Sequence, residues 1–110
     1  MGTMISDVKD SVALTSTGQM QGYIGGSAAN LGPVRIVSIN GQASAADAEI
    51  KIYNEIGNSA TAKQLIFHGK FGTAANHVHE FKLPGAGIYA NTGIYADLTN
   101  IDFFYIVGTF

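Results

Sequence analysis

Apolar and polar residues alternate with a period of two in several short stretches of this chain, and no stretch holds apolar residues at helical spacing for long. Val34-Arg35-Ile36-Val37-Ser38-Ile39 alternates over much of its length and predicts a strand that closes on Asn40-Gly41, a strong turn dipeptide. Glu49-Ile50-Lys51-Ile52-Tyr53 alternates cleanly, with Ile50 and Ile52 on one face and Lys51 and Tyr53 on the other. Ala62 to His68 reads as a strand with Leu65 and Phe67 facing inward, and His77 to Leu83 as a strand carrying Val78 and Phe81 and stopped by Pro84. The densest signal lies in Pro84 to Phe110. Ile88-Tyr89 and Ile94-Tyr95 are two β-branched and aromatic runs separated by Asn91-Thr92-Gly93, a spacing that predicts a three-residue hairpin loop. Leu98-Thr99-Asn100 predicts another turn, and the apolar run Asp102 to Val107 predicts a central strand buried on both faces. Either Phe103, Tyr105 and Val107 or their alternates Phe104 and Ile106 then fill the core.

Between these runs the connections carry their own signals. Gln19 to Ile24 has strand composition, and Gly25 to Pro33, rich in small and polar residues, predicts a loop. Its glycines fit neither spacing of the phosphate-cradling motifs. Ala43 to Ala48 is too short to nucleate a helix and predicts a connection crossing between two sheets. Gly57-Asn58-Ser59 predicts a turn, and Gly69 to Asn76 a glycine-containing connection. Met1 to Thr17 mixes charges with scattered apolar residues and is compatible with either an N-terminal arm or an edge strand. The pattern predicts an all-β protein, an antiparallel β-sandwich of about eight strands, jelly-roll-like or immunoglobulin-like in its connections. One sandwich domain spans residues 18–110, preceded by the segment 1–17.

Composition narrows the function classes. A chain of 110 residues is long enough for one core without staples, and with no cysteine it has neither a disulfide framework nor a thiolate zinc site. Six Lys and Arg against eight Asp and Glu give a net charge of −2 without a basic cluster, which removes the electrostatic basis for nucleic-acid binding. No apolar run is long enough for a membrane-spanning helix. Charged residues make up 13% of the chain, about half of the share usual in soluble domains. So few charges predict a surface partly covered by other subunits, that is, a homo-oligomer.

Candidate chemistry is sparse. On a strand, His77 and His79 share a face and could reach one ion, yet two neutral nitrogens are too few without Glu80, His68 or a symmetry-related pair. No metal and no cofactor is expected in the monomer. A nucleophile elbow is absent, and Asp97 and Asp102 flank a turn and read as turn residues. The chain is therefore not expected to be an enzyme. Tyr23, Tyr53, Tyr89, Tyr95 and Tyr105 could pave a sugar-binding surface or pack at subunit interfaces. The candidates for assembly contacts are Ile5, Val8, Val12 and Leu14 in the N-terminal segment, with Tyr89 and Tyr95 in the last quarter.

The run VRIVSINGQASAADAEIKIYNE, a further strand and glycine linker, and then PGAGIYANTGIYADLTNIDFFYIVG together resemble small β-sandwich proteins of tailed bacteriophage virions. The shared pattern is a strand ending in a turn, an alternating I-x-I-Y strand, and a late G-I-x-x-x-x-G-I-Y-x-D-L-T segment feeding a final aromatic strand. It covers about two thirds of the chain. Such proteins serve as capsid decoration or cement proteins or as head-fibre components. The resemblance implies a structural virion protein whose partner is the major capsid protein or another virion protein, located on the capsid surface after assembly in the host cytoplasm. A homotrimer is expected because capsid lattices offer three-fold positions. The alternative is a carbohydrate- or receptor-binding module of a fibre or tip, which would use the same fold and tyrosines.

Overall fold

The computed structural model describes residues 8–24, 26–55, 64–71 and 78–110. The protein is all-β, with β1 (Val8–Asp10), β2 (Gly18–Gln19), β3 (Gln21–Ile24), β4 (Ser27–Asn30), β5 (Val34–Ala43) and β6 (Glu49–Asn54) in its first half. The second half holds β7 (Gln64–Lys70), β8 (Val78–Lys82), β9 (Ile88–Ala90), β10 (Tyr95–Thr99) and β11 (Ile101–Thr109). One sheet has the order β1-β11-β5-β8, with β9 also on β5; a second has the order β2-β10-β6-β7; β3 and β4 form a separate hairpin. All pairings are antiparallel. Read side by side, the two sheet orders place successive strands (1 and 2, 11 and 10, 5 and 6, 8 and 7) at matching positions in opposite sheets. That wrapping is jelly-roll-like rather than immunoglobulin-like.

The two sheets face each other across one apolar core. Ile36 and Ile39 from β5 and Phe104 and Ile106 from β11 meet Ile50 and Ile52 from β6 and Ala96 from β10, all fully buried. Each large side chain so enclosed contributes about 1.5–3 kcal/mol relative to exposure. Met20, Leu31 and Ile94 close the core from connecting segments.

Several local readings follow the expected pattern. Ile50 and Ile52 are buried on one face of β6 while Lys51 and Tyr53 are partly exposed on the other. The chain crosses between sheets after Ala43, and Ser44 N donates to the Asn100 carbonyl at 2.8 Å while Asn100 Nδ2 donates to the Ala46 carbonyl at 2.9 Å. The β5–β6 and β10–β11 crossings are thereby tied together at one end of the sandwich. Asn100 itself takes a left-handed φ of 54°, which its short polar side chain tolerates.

Others are corrected. Asn40-Gly41 is not a turn, because β5 runs on to Ala43 with partners on both sides. A Cβ on Gly41 would lie 3.0 Å from the Phe103 carbonyl and 3.3 Å from the Phe71 ring, so the glycine serves close packing in a central strand. The predicted strand Gln19 to Ile24 is broken at buried Met20, with its two parts in different sheets, and the predicted loop contains β4, paired to β3. Asn91-Thr92-Gly93 does not close a hairpin: β9 pairs with β5 and β10 pairs with β6, so this segment crosses between sheets. Asn54 holds the crossing, its Oδ1 accepting from Thr92 N at 2.9 Å and its Nδ2 donating to Asn91 Oδ1 at 2.7 Å. The turn after β10 is shortened to Asn100 alone, since Leu98 and Thr99 still pair with β6.

On β11 only one face is fully buried: Phe104 and Ile106 point into the core, whereas Phe103, Tyr105 and Val107 are half-buried on the outer face. Leu65 is 49% exposed, because an irregularity of pairing opposite Ile52 and Tyr53 turns Ile66 and Phe67 toward the core instead. Val78 is also outward, while Phe81 packs inward; three residues apart on a strand, they cannot share a face. The turn expected at Gly57-Asn58-Ser59 lies outside the described residues.

Candidate functional site

The outer face of the five-stranded sheet is the most distinctive surface among the described residues. Antiparallel partners point to the same side, so the pairing register lays out its rows. Phe103, Gln42 and Val78 form the first row and Tyr105, Asn40 and Glu80 the second. Val107, Ser38 and Lys82 form the third, and Thr109, Arg35 and Tyr89 the fourth. The centre of the face is therefore an aromatic and aliphatic stripe along β11, with neutral amides and a hydroxyl on β5. Its charges surround that centre: Glu80 and Lys82 on β8, Asp10 on β1 beside Val107, and Arg35 near the start of β5. Asn40 Nδ2 donates to Ser38 Oγ at 3.2 Å, which satisfies the buried serine hydroxyl. Val78 is 64% and Tyr89 51% exposed. The Arg35 guanidinium lies 5.1 Å from the ring centroid of Tyr89 on β9, a cation–π contact, and its Nη1 donates to the Ala86 carbonyl at 3.4 Å. Gly87 makes this turn possible: its φ is +78°, and a Cβ there would meet the Ile36 carbonyl oxygen.

The opposite outer face is built differently. In the four-stranded sheet Asp97, Lys51 and His68 lie in one row, and Thr99, Glu49 and Lys70 in the next. His68 Nε2 and Glu49 Oε1 are 2.7 Å apart on the diagonal. The Glu49 carboxyl is held below its ordinary value chiefly by this hydrogen bond; a smaller opposing effect of burial is offset by the attraction of His68, Lys51 and Lys70.

The residues singled out from sequence fall in several places. His79 faces inward on β8, its ring 4.3 Å from that of Phe81 and 5.8 Å from that of Phe71, whereas Glu80 points to the outer face. His68 is engaged with Glu49. His77 lies outside the described residues. Among the described residues, no group of three or more His, Asp or Glu side chains is placed to hold a metal ion. Asp97 accepts from Thr17 Oγ1 at 3.3 Å, next to the bond from Leu98 N to Thr17 Oγ1 at 2.9 Å.

Of the assembly candidates, Ile5 lies outside the described residues. Val8 belongs to β1, which is an edge strand paired with β11. Leu14 exchanges backbone hydrogen bonds with Phe104 at 2.7 and 2.9 Å and packs on the core, and Val12 N donates to the Gln21 carbonyl. Residues 8–17 thus belong to the body of the sandwich. Tyr95 is 9% exposed, while Tyr89 stands at the corner of the outer face. Sequence reasoning named Tyr105 among the tyrosines for a sugar-binding or interface surface but missed Val107, Glu80 and Lys82 as its neighbours on that face. The signal that could have found them is the alternation of β8 and β11, each read as one face inward and one outward.

Comparison with known proteins finds no matching family model, no similar curated sequence and no similar solved structure.

Proposed function

We propose that this protein is a structural virion component, a decoration or cement protein that stabilises a phage head by assembling on the surface of its capsid. The observation that carries the reading is the outer face of the five-stranded sheet, where the central strand presents Phe103, Tyr105 and Val107 instead of the charges that cover the opposite sheet. A face of that kind suits protein contact, since interface centres are depleted of charge and enriched in aromatic residues. The resemblance of the runs within residues 34–108 to phage virion proteins supplies the kind of particle. Its partners are then the major capsid protein and further copies of itself, three copies gathering on the shell where its lattice offers three-fold positions. The reading requires no catalysis.

The test is cosedimentation of the purified chain with assembled shells of the major capsid protein from the same genome. Saturable binding that raises the shell's thermal stability is the expected result. A second reading, a carbohydrate- or receptor-binding module, is favoured by Tyr23 and Tyr89, which are 62% and 51% exposed and offer flat aromatic faces. Binding of a defined glycan with no binding to shells would replace the first reading with the second.

A further inference from the structure

The outer face of the five-stranded sheet has a symmetry that the sequence order hides. We infer that it is self-complementary and pairs two copies of this chain face to face about a two-fold axis. The axis would lie in the plane of contact, crossing the strands at the level where Ile106, Ile39 and Phe81 stand in register. Such an axis reverses strand direction but keeps lateral order, so each strand lies over its own copy running the opposite way. The second row of one molecule then covers the third row of the other, and the first row covers the fourth.

The chemistry of the rows matches under that operation. Glu80 lies over Lys82 of the second copy and Lys82 over its Glu80, so two exposed opposite charges that are neighbours on one strand become two intermolecular pairs. Tyr105 and Val107 cover one another in the same way, apolar on apolar, along the half-buried stripe of β11. Val78 and Tyr89, the two strongly exposed apolar side chains of this face, occupy the first and fourth rows on the same lateral side, and each covers the other across the axis. The Glu80 and Lys82 charges and the apolar side chains are thus matched by one operation, with Arg35 over Gln42 and Asp10 at the rim on edge strand β1. The face of the four-stranded sheet already pairs Glu49 with His68 within its own molecule.

The size of the face limits the strength. Strand spacing and rise give roughly 500 Å² per copy for four strands and four rows. Two copies bury about 1,000 Å² in total, at the lower edge of specific interfaces. The dimer is therefore expected to dissociate on dilution. This contact covers the face that the capsid reading assigns to the shell, so the free dimer and the shell-bound form are alternatives, and self-association and shell binding are measured separately.

The experiment uses the full chain and three variants, Glu80→Lys, Lys82→Glu and the double exchange, in sedimentation equilibrium over a range of concentrations. Wild type is expected to show a monomer–dimer equilibrium. Either single exchange places like charges against each other twice and weakens dimerisation about tenfold or more. The double exchange restores it. An equimolar mixture of the two single variants, one of them isotope-labelled, forms the mixed dimer in preference to either homotypic one, read by native mass spectrometry. Because both altered side chains are on an exposed strand face, unchanged dichroism spectra are expected throughout. A wild-type chain that stays monomeric at the highest concentration it tolerates overturns the inference, as does a trimer, or a dimer insensitive to both single exchanges. Shell binding that survives in the single variants would leave the capsid reading standing while the two-fold contact is read from the sedimentation alone.

Discussion

The two outer faces of the sandwich rest on equally regular antiparallel ladders and differ almost wholly in what their outward side chains ask for. On the four-stranded sheet, acids and bases stand beside one another in successive rows, Asp97 next to Lys51 and Glu49 within 2.7 Å of His68, and water completes their needs. On the five-stranded sheet β11 carries Phe103, Tyr105 and Val107, and the charges of Asp10, Arg35, Glu80 and Lys82 stand around that stripe. Backbone pairing is indifferent to this choice. What a face can do is decided by whether its side chains are satisfied within the molecule and by solvent, or only by a further layer.

The comparison breaks most sharply on β11, where one strand serves both the core and the outer face. Phe104→Ala removes a fully buried ring and is expected to cost about 3–5 kcal/mol in urea denaturation, since the surrounding residues of two sheets cannot collapse into the space. Gly108→Ala comes next. Its Cβ would run into the Arg35 carbonyl oxygen, a backbone atom that cannot rotate away, and the expected loss is about 1–3 kcal/mol with a shift of the β5–β11 register seen as altered amide exchange. Phe103→Ala, one residue from Phe104 but on the outer face, is expected to cost only about 1 kcal/mol, because it leaves no enclosed cavity. Equal losses for Phe103 and Phe104 would mean that the two faces of β11 are equally buried.

The smallest effect sharpens the other side of the comparison. The folded Glu49 carboxyl titrates below its ordinary range, so its contribution is fully present above the unfolded carboxyl value and is lost as pH falls through the folded one. Glu49→Gln should therefore reduce stability slightly near neutral pH and not at all in strong acid, where the wild-type carboxyl is protonated as well. Urea midpoints across that acidic window check the sign. A wild-type advantage that persists in strong acid would place the origin of the difference elsewhere.

Much of the architecture was legible in the residues alone. Alternation in Glu49 to Tyr53 assigned Ile50 and Ile52 to the core, the small-residue run after Ala43 marked a crossing between sheets, and the apolar density of Asp102 to Val107 located the strand on which both sheets depend. These are local facts, since side-chain direction repeats every two residues and a short alanine-rich run cannot sustain a helix. The tertiary structure alone decided which face of β11 is inside, that Asn40-Gly41 continues a strand, and that Asn91-Thr92-Gly93 changes sheets instead of closing a hairpin. It also turned His79 onto Phe71 and Phe81 and aligned Glu80, Lys82, Tyr105 and Val107 in adjacent rows. Those outcomes depend on strand pairing between residues far apart in the chain, such as Tyr105 with Asn40 and Asn40 with Glu80. A turn dipeptide or an alternating run takes its meaning from the strand that pairs with it, and that partner is chosen by the packing of the whole core.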